Sequence, residues 1–336
     1  MGANDLMMKV GSFDDCVCAV AALALPADRC VVVAVSGGLD SIVLMWAVVA
    51  RLGAERVVVA SFDHGLREGS AGDVEFVRRL AMALGCEVEV GVADVAGEVE
   101  RGGGSVEGVA RTVRYQFLAD VAKRCGACAV LTAHHADDQA ETVLFNLARG
   151  GGMDALAGMA VRKNLPGSHE ILLARPFLSL RRQQLVEAAS EAGVEFREDP
   201  SNSSPDFTRN RIRHEVLPLF HDVMGRDVTD ALVRNAEIVA EESAWLASCA
   251  NAELENVRCA DSADALVLEK ARMLAPALRR RVVFAWLKGA GVADVSRRDV
   301  LAADEVLMSN DKPAKVNLKR DLCARRRAGL LFLDRQ

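Results

Sequence analysis

An apolar run that ends in a glycine-rich turn constrains the fold of this chain more than any other feature. Residues 30–35 read CVVVAV, a β-branched run typical of a strand that is buried on both faces of a sheet. Similar runs follow at 57–62, 86–92 and 129–132, and helical patterns lie between them at about 41–52, 71–84, 105–124 and 135–148. This alternation predicts right-handed βαβ units and therefore an α/β fold with a doubly wound parallel sheet.

The regular alternation stops near residue 150, and the remaining patterns predict a second domain. Residues 151–215 are loop-rich around one helix at about 179–192. Beyond them we expect a long helix at 227–256, a polar linker at 257–264, helices at 274–288 and 297–308, and short strands at 316–318 and 330–333. The expected domains are residues 1–219 and a smaller, mainly helical domain over residues 220–336.

The net charge of −6 hides an uneven distribution. Residues 271–336 contain 15 Lys and Arg against 7 Asp and Glu, whereas the rest of the chain is acidic. A basic appendage on an acidic body suggests a polyanionic partner such as RNA, and charge alone leaves open a solvated face without a partner. The candidate contacts in this segment are Arg325, Arg326 and Arg327.

Composition excludes several classes of protein. No apolar run reaches the ~18 to 20 residues of a membrane span, so we expect no membrane partner. Nine cysteines, an odd number in a long chain, favour reduced thiols and a cytoplasmic location. Cys125 and Cys128 form a CxxC pair, which supplies half of an iron–sulfur ligand set or simply two thiols at a helix-to-strand junction. A homodimer is left open.

The strongest chemical signal lies directly between the first strand and its helix. Two glycines allow a tight turn with exposed N–H groups, and the helix N-terminus adds positive potential, so the loop suits phosphate oxygens. The hexapeptide predicts an ATP site formed by Ser36, Gly37, Gly38, Leu39, Asp40 and Ser41. Asp40 is also the expected ligand of a Mg²⁺ ion that neutralises the triphosphate. The lysine of a Walker loop is absent.

Polar groups also follow two other strands. Asp63-His64-Gly65-Leu66-Arg67 ends the second strand, and His64 there becomes a site candidate in company with the glycine-rich loop. The third motif opens the helix after the 129–132 run, and three carboxylates and a histidine lie close together on one side of it: His134, Asp137, Asp138 and Glu141. Such a group suits a metal or a cationic substrate, and a solvated acidic face is the alternative.

Two groups of arginines complete the candidate residues. Arg111 and Arg114 lie one turn apart on a helix, where their guanidinium groups could bind a carboxylate or a polyphosphate. Arg209, Arg211 and Arg213 alternate with neutral residues after the turn at 199–202. This spacing indicates an RNA-phosphate contact or a domain-joining element.

Together these motifs resemble one family, the tRNA(Ile)-lysidine synthetases, in a short form without a last C-terminal domain. The hexapeptide matches the signature of PP-loop ATP pyrophosphatases, which cleave ATP between the α- and β-phosphates. The further matching pieces, in the expected order, are DHGLR (63–67), ARTVRY (110–115), TAHHADDQAETVL (132–144), RGGGMDALAGM (149–159), RPFL (175–178) and DPSNSSPDFTRNRIR (199–213).

The resemblance implies ATP-dependent ligation of free L-lysine to C2 of the wobble cytidine in a tRNA(Ile) with a CAU anticodon. The cytidine would be adenylated first, with release of pyrophosphate, and lysine would then displace AMP. Asp40, His64 and His134 are the implied catalytic residues, with His134 or a carboxylate beside it as the base. Arg111, Arg114, Asp137, Asp138 and Glu141 would bind lysine. The alternatives are a tRNA-thiolating PP-loop enzyme and a non-catalytic, nucleotide-dependent tRNA-binding protein.

Overall fold

The computed structural model describes residues 11–65, 69–103, 105–197, 208–260, 262–292, 295–311, 314–318 and 322–335. Arg67, the turn at 199–202, and Lys319 and Arg320 of the basic C-terminal segment lie outside these described residues. The chain divides into two compact units, Met1–Glu237 and Ile238–Gln336. The domain boundary near residue 220 stays a prediction.

The first unit contains the predicted alternation of strands and helices. Its elements are α1 (Ser12–Ala21), β1 (Val31–Ala34), α2 (Leu39–Leu52), β2 (Val57–Asp63), α3 (Ser70–Ala83), β3 (Glu87–Val92), α4 (Val95–Gly102), α5 (Val106–Arg124), β4 (Ala129–Leu131), α6 (Ala136–Ala148), α7 (Met153–Leu156), β5 (Arg162–Asn164), β6 (Leu172–Ala174), α8 (Arg182–Glu191), α9 (Thr208–Arg211) and α10 (Leu217–Met224). A π-helical turn, Ile212–Val216, joins α9 to α10, and the long helix α11 (Thr229–Val257) begins in this unit.

The sheet of the first unit has the order β3-β2-β1-β4-β6-β5, and all neighbours are parallel except the edge strand β5. The β-branched run predicts this arrangement because alternate residues pack into different layers. Val31 and Val33 pack into the layer that contains α2 and α8, whereas Val32 packs against α5 on the other face. The predicted α/β class is therefore confirmed, with the loops after β1, β2, β4 and β6 at the ligand-binding edge.

The second unit contains the C-terminal part of α11 and a sheet as well as further helices. Its remaining elements are β7 (Arg258–Cys259), β8 (Ser262–Val267), α12 (Leu268–Arg272), α13 (Pro276–Gly289), α14 (Arg297–Met308), β9 (Lys315–Asn317), β10 (Leu322–Arg327) and β11 (Leu330–Arg335). The strands form an antiparallel sheet in the order β7-β8-β11-β10-β9. The prediction of a linker at 257–264 was wrong, because this segment contains the end of α11, β7 and the start of β8, and Val257 packs into the same core as residues of α13 and α14.

No helix in the described part of the chain is both long enough and apolar enough to cross a membrane.

Candidate active site

The glycine-rich loop connects β1 to α2 at the ligand-binding edge. Gly37 has a φ of +91°, which a residue with a Cβ rarely adopts, and its carbonyl accepts a hydrogen bond from the Arg197 N–H at 2.9 Å. A Cβ on Gly38 would approach nothing closer than the Ser36 Oγ at 3.7 Å. The space above Gly38 is therefore open, and no side chain caps the N–H groups of the first turn of α2.

Two serines hold this loop in shape. The Ser41 hydroxyl donates to the Gly38 carbonyl at 2.9 Å and accepts from the Ser36 N–H at 3.2 Å. The two hydroxyl oxygens lie 3.3 Å apart. Ser41 therefore closes the turn from inside, and the Ser36 hydroxyl is the better placed of the two to meet a ligand.

Asp40 presents a carboxylate that is incompletely satisfied. Its Oδ1 atom is buried and has no hydrogen-bond partner, and its Oδ2 lies 3.8 Å from the His135 Nε2. Burial raises the pKa of Asp40, although the positive charges of His135 and Arg182 oppose the shift. A buried, unpaired carboxylate oxygen is costly without a cation or a proton donor, so this position suits a metal ion.

His135, which the sequence analysis did not select, connects the phosphate loop to α6. It is 2% exposed and caps α6. Its ring Nδ1 accepts a hydrogen bond from the Asp138 backbone N–H, and its backbone N–H donates to the Asp138 carboxylate. Burial opposes protonation, but the hydrogen bond with Asp137 and the charges of Asp138 and Asp40 raise the pKa of His135. The signal available in the sequence was a capping residue followed three positions later by an acid.

The acidic side chains of α6 all have basic partners. Asp137 forms an ion pair with Arg181 at 3.0 Å and accepts from the Arg182 N–H at 2.8 Å. Burial opposes its ionisation, but His135 and Arg181 lower the pKa of Asp137 well below its usual range. Arg181 also contacts Asp227 and Asp230, so it ties the start of α6 to the segment that begins α11.

Asp138 and Glu141 share one guanidinium group. Arg213 donates its Nη2 to the Asp138 Oδ1 at 3.0 Å and its Nε to the Glu141 Oε1. Glu141 is 3% exposed, and burial raises the pKa of its carboxyl despite the neighbouring Arg213. Because one guanidinium is shared between two carboxylates, and Asp138 is partly exposed, Arg213 alone does not neutralise the negative charge of this pair.

His134 lies on the adjoining side of the site. Its Nδ1 is 2.9 Å from the Thr132 hydroxyl. Burial lowers the pKa of His134 to about 3; Asp138 opposes this shift, whereas Arg175 and Arg114 add to it. His134 is therefore a neutral imidazole at physiological pH.

The two predicted arginines of α5 surround a buried tyrosine. The guanidinium carbon of Arg111 lies 4.9 Å from the centre of the Tyr115 ring, and that of Arg114 lies 5.6 Å from it. Arg175, 1% exposed and placed directly after β6, also hydrogen-bonds Tyr115.

His64, after β2, packs edge-on to Phe62 and has a buried Nδ1 without a hydrogen-bond partner. Burial and the charge of Arg114 lower the pKa of His64.

The other predicted RNA contacts differ in how strongly they are already paired. Arg211 forms an exposed ion pair with Glu215 at 2.9 Å, and Arg209 lies 3.5 Å from Glu107. Exposed pairs of this kind are weak, so these guanidinium groups remain available. In the second unit, Arg325 lies 3.5 Å from Asp334 across the β10–β11 pair, and Arg326 donates to the Asp311 carbonyl. The exposed Arg327 has no partner among the described residues.

A buried glutamine fixes a loop beside α6. The Gln139 amide donates to the Met159 carbonyl at 3.0 Å and accepts from the Met159 N–H at 2.7 Å. Gly158 permits this approach, because a Cβ there would lie 2.6 Å from the Gln139 Oε1 and its φ is +66°. Gly158, and Gly151, where a Cβ would lie 2.8 Å from the Asn146 carbonyl oxygen, therefore serve close packing against the helix that carries the acidic side chains.

Comparison with known proteins identifies the family. A family model described as a PP-loop domain matches residues 17–220, and one described as the TilS substrate binding domain matches residues 266–332. A tRNA(Ile)-lysidine synthase from Salinispora tropica is 41% identical over 93% of this chain and 92% of that protein. This chain belongs to the tRNA(Ile)-lysidine synthase family. A member from Rhodococcus opacus is 39% identical over 83% of this chain and 80% of that protein.

A solved structure supports the fold of this chain. The U34-tRNA thiolase NcsA from Methanococcus maripaludis, with its 4Fe–4S cluster, is 14% identical and has a TM-score of 0.56 over 68% of this chain and 78% of that one. At this identity the likeness concerns the fold alone. The predicted family, enzyme class and ATP use are confirmed by the relatives and the PP-loop match. Within the described residues, no three His, Cys, Asp or Glu side chains form a ready metal-binding group.

The structure brings most of the predicted site residues to one edge of the sheet. Asp40, Asp138 and Glu141 lie within reach of His135 and Arg213, and His134 lies between this group and the arginines near Tyr115. The residues missed by the sequence analysis are His135, Arg175 and Arg181. Their individual roles and those of the predicted site residues stay predictions.

Proposed function

We propose that this chain joins free L-lysine to C2 of the wobble cytidine in a tRNA(Ile) with a CAU anticodon, using ATP and releasing AMP and pyrophosphate. The observation that supports this proposal most is the juxtaposition of a phosphate-binding loop with an acidic, partly neutralised group of carboxylates. The first suits adenylation of an oxygen, and the second suits a cationic second substrate. The names of the relatives supply the tRNA and the product.

The adenylation half of the reaction belongs to the loop after β1. The open space above Gly38 and the uncapped N–H groups of α2 would receive the phosphates of ATP. The cytidine O2 would attack the α-phosphate, forming an O–P bond while the bond to pyrophosphate breaks. Arg197, which holds the Gly37 carbonyl, keeps the loop in the shape that this attack requires.

The donor set around Asp40 fits a Mg²⁺ ion. Its buried, unpaired Oδ1 is the oxygen that would bind the ion, and Ser36 could add a hydroxyl oxygen. Such an ion supplies charge neutralisation for the triphosphate.

The lysine site would lie on the acidic side of α6. Asp138 and Glu141 would bind an ammonium group, while Arg213 keeps the two carboxylates from repelling each other. Asp137 is saturated by Arg181 and Arg182, so its contribution to lysine binding would be electrostatic. Arg114 is the better placed of the two α5 arginines for the lysine carboxylate, because its charge acts on His134 and His64.

The lysine amine must lose a proton before it attacks C2, since its ordinary pKa is ~10.4. A C–N bond then forms while the C2–O bond to AMP breaks. His134, with a pKa of about 3, accepts a proton weakly. The raised pKa of Glu141 makes this carboxylate the stronger candidate for the acceptor.

The tRNA would be bound by the exposed arginines of both units. Arg209 and Arg211 are the candidates near the site, whereas the charge of Arg213 is compensated by Asp138 and Glu141. In the second unit Arg327 is the strongest candidate. The nine cysteines, all free, support a reducing cytoplasmic location.

Incubation of the protein with ATP, radiolabelled lysine and the tRNA(Ile) transcript tests the proposal. We expect label in the RNA only when ATP and a cytidine at position 34 are present, with one AMP released per lysine incorporated. A transcript with uridine at position 34 is the matched control. AMP release without incorporation of lysine would contradict the proposal.

A further inference from the structure

A cavity of about 300 Å³ lies between the N-terminal half of α5 and the turn that joins β5 to β6. Neither the phosphate loop nor the acidic side chains of α6 contribute to its wall. The lining residues are Arg111, Thr112, Tyr115, Gln116, Lys163, Pro166 and Gly167. The cavity is therefore a separate feature beside the candidate active site.

The surroundings of this cavity carry an excess of positive charge. Arg111 and Lys163 line it, and Arg114 and Arg175 contact the Tyr115 side chain at its wall. Within the described residues no carboxylate forms an ion pair with any of these four cations. The hydroxyl of Tyr115 is the polar group that they share, since Arg111 donates to it at 3.4 Å and Arg175 also hydrogen-bonds it.

The cost of this arrangement is visible in the individual groups. Arg175 is 1% exposed, and its Nε has no hydrogen-bond partner. Although the Lys163 side chain is exposed at the surface, partial desolvation beside the cavity and the charges of Arg175 and Arg111 lower its pKa. Burial opposes ionisation of Tyr115, but the three arginines outweigh it and lower the pKa of the phenol. An anion in the cavity would offset the mutual repulsion of these positive charges.

We propose that this cavity binds a backbone phosphate of the RNA substrate next to the reacting nucleotide. The proposal rests on the proposed function, which makes RNA a substrate. Arg111 and Lys163 would contact the phosphate oxygens, with Thr112 and Gln116 as neutral donors. The charges of Arg111 and Arg175 also act on His134, which places the cavity near the ligand-binding edge.

The oxyanion could come from two sources, an RNA phosphate or the carboxylate of free lysine. Two observations favour the phosphate. The wall residues Lys163, Pro166 and Gly167 are exposed, as an extended RNA backbone requires. The cavity also contains none of the carboxylates that the two ammonium groups of lysine would need.

Substitution of Lys163 tests the proposal with little risk to folding, because this residue is exposed on an edge strand. Lys163→Gln is compared with Lys123→Gln, which removes the same charge from an exposed position at the opposite end of α5. Filter binding of the tRNA(Ile) transcript is measured at three salt concentrations. One lost phosphate contact lowers the slope of log K against log salt by about 0.7–0.9 and weakens binding about five- to eightfold at 0.1 M salt.

We expect that loss for Lys163→Gln, and no change in slope for Lys123→Gln. Equal slopes for parent and Lys163→Gln would overturn the proposal, and so would a raised KM for lysine with unchanged RNA binding, which would assign the cavity to the lysine carboxylate. If the parent forms lysidine and the slopes are equal, the phosphate site fails while the proposed function stands. If the parent forms no lysidine but Lys163→Gln still lowers the slope, the phosphate site stands while the proposed function fails.

Discussion

Replacing Glu141 with Gln tests whether the acidic side of α6 binds the lysine substrate. Glutamine keeps the shape of the side chain and one carbonyl oxygen, so packing around this buried position changes little. What is lost is the negative charge that faces the Arg213 Nε and the space beside it. Arg213 keeps its second partner, Asp138, at 3.0 Å, and should therefore stay in place.

The size of the effect follows from the number of charges that remain. A hydrogen bond to a charged group contributes about 1.5–3 kcal/mol. Because Asp138 still faces the ammonium group, we use the lower part of this range, about 2 kcal/mol, and each 1.4 kcal/mol corresponds to about tenfold. We expect the KM for lysine to rise about thirtyfold in Glu141→Gln, and kcat to fall as well because the amide cannot accept the proton of the lysine amine. The KM for ATP should change less than twofold, since the phosphate loop contributes no contact to Glu141.

The assay is steady-state incorporation of radiolabelled lysine with lysine and ATP varied separately. Glu215→Gln is the matched control, because Glu215 pairs with Arg211 on the surface of the neighbouring segment and should leave both KM values unchanged. A fall in kcat with an unchanged KM for lysine would refute the binding role and favour proton transfer by Glu141. An unchanged rate at every lysine concentration would refute both roles.

The remaining predictions concern the loop, His134 and the second unit. Asp40→Asn should abolish tRNA-dependent AMP formation while filter binding of the tRNA changes less than twofold; normal AMP formation would contradict the role of Asp40. His134→Asn should flatten the dependence of the free energy of unfolding on pH. The pKa of His134 is about 3 in the folded protein and ~6.5 in the unfolded chain, so the stability that the neutral imidazole contributes is present above pH ~6.5. It is lost as the pH falls, by up to about 1.4 kcal/mol per pH unit. Urea unfolding at pH 5, 6 and 7 measures this, and parallel curves would count against it. Arg279→Met should lower the free energy of unfolding, measured in urea, by about 2–4 kcal/mol, because it removes one partner of the buried Asp304. The control Arg298→Met, at an exposed position, should lower it by less than about 0.5 kcal/mol. Equal losses in the two variants would refute the role of the buried pair. Changing the three β10 arginines to Ala should lower the salt slope of tRNA binding by up to about 3, and an unchanged slope would remove them from the RNA surface.

The parts of the fold that the sequence predicted are those set by local pattern. The run Val31–Ala34 is buried on both faces, and the following glycines permit the turn at Gly37, so strand, loop and helix could be placed without knowledge of distant residues. The helix α2 was expected from 41 and begins at Leu39. In contrast, β8 was hidden in a polar stretch, since its pairing with β11 lies far away in sequence.

The candidate site was predictable in its residue types but not in its pairing. Three carboxylates on one side of α6 suggested free negative charge. In the structure Arg181 and Arg213 neutralise them from positions 44 and 72 residues further along the chain. No periodicity or spacing relates residues at such separations, because the contacts depend on how distant parts of the chain come together at the sheet. The same folding places His135 between Asp40 and Asp138.

The basic C-terminal segment shows why a charge count must be corrected by pairing before it predicts a partner. Arg279 is 6% exposed, and it shares the buried Asp304 with Arg280 at 2.6 and 3.1 Å. The buried guanidinium of Arg279 joins α13 to α14 through Asp304, so it cannot release counterions from RNA in the way that an exposed arginine does. Arg327, exposed and without a partner in the described part of the chain, retains that capacity. Arg111 and Lys163, which line the cavity beside Tyr115 and have no carboxylate partner among the described residues, retain it as well, although the first 270 residues are acidic overall. Unpaired charge, rather than net charge, therefore indicates where this protein should meet its RNA.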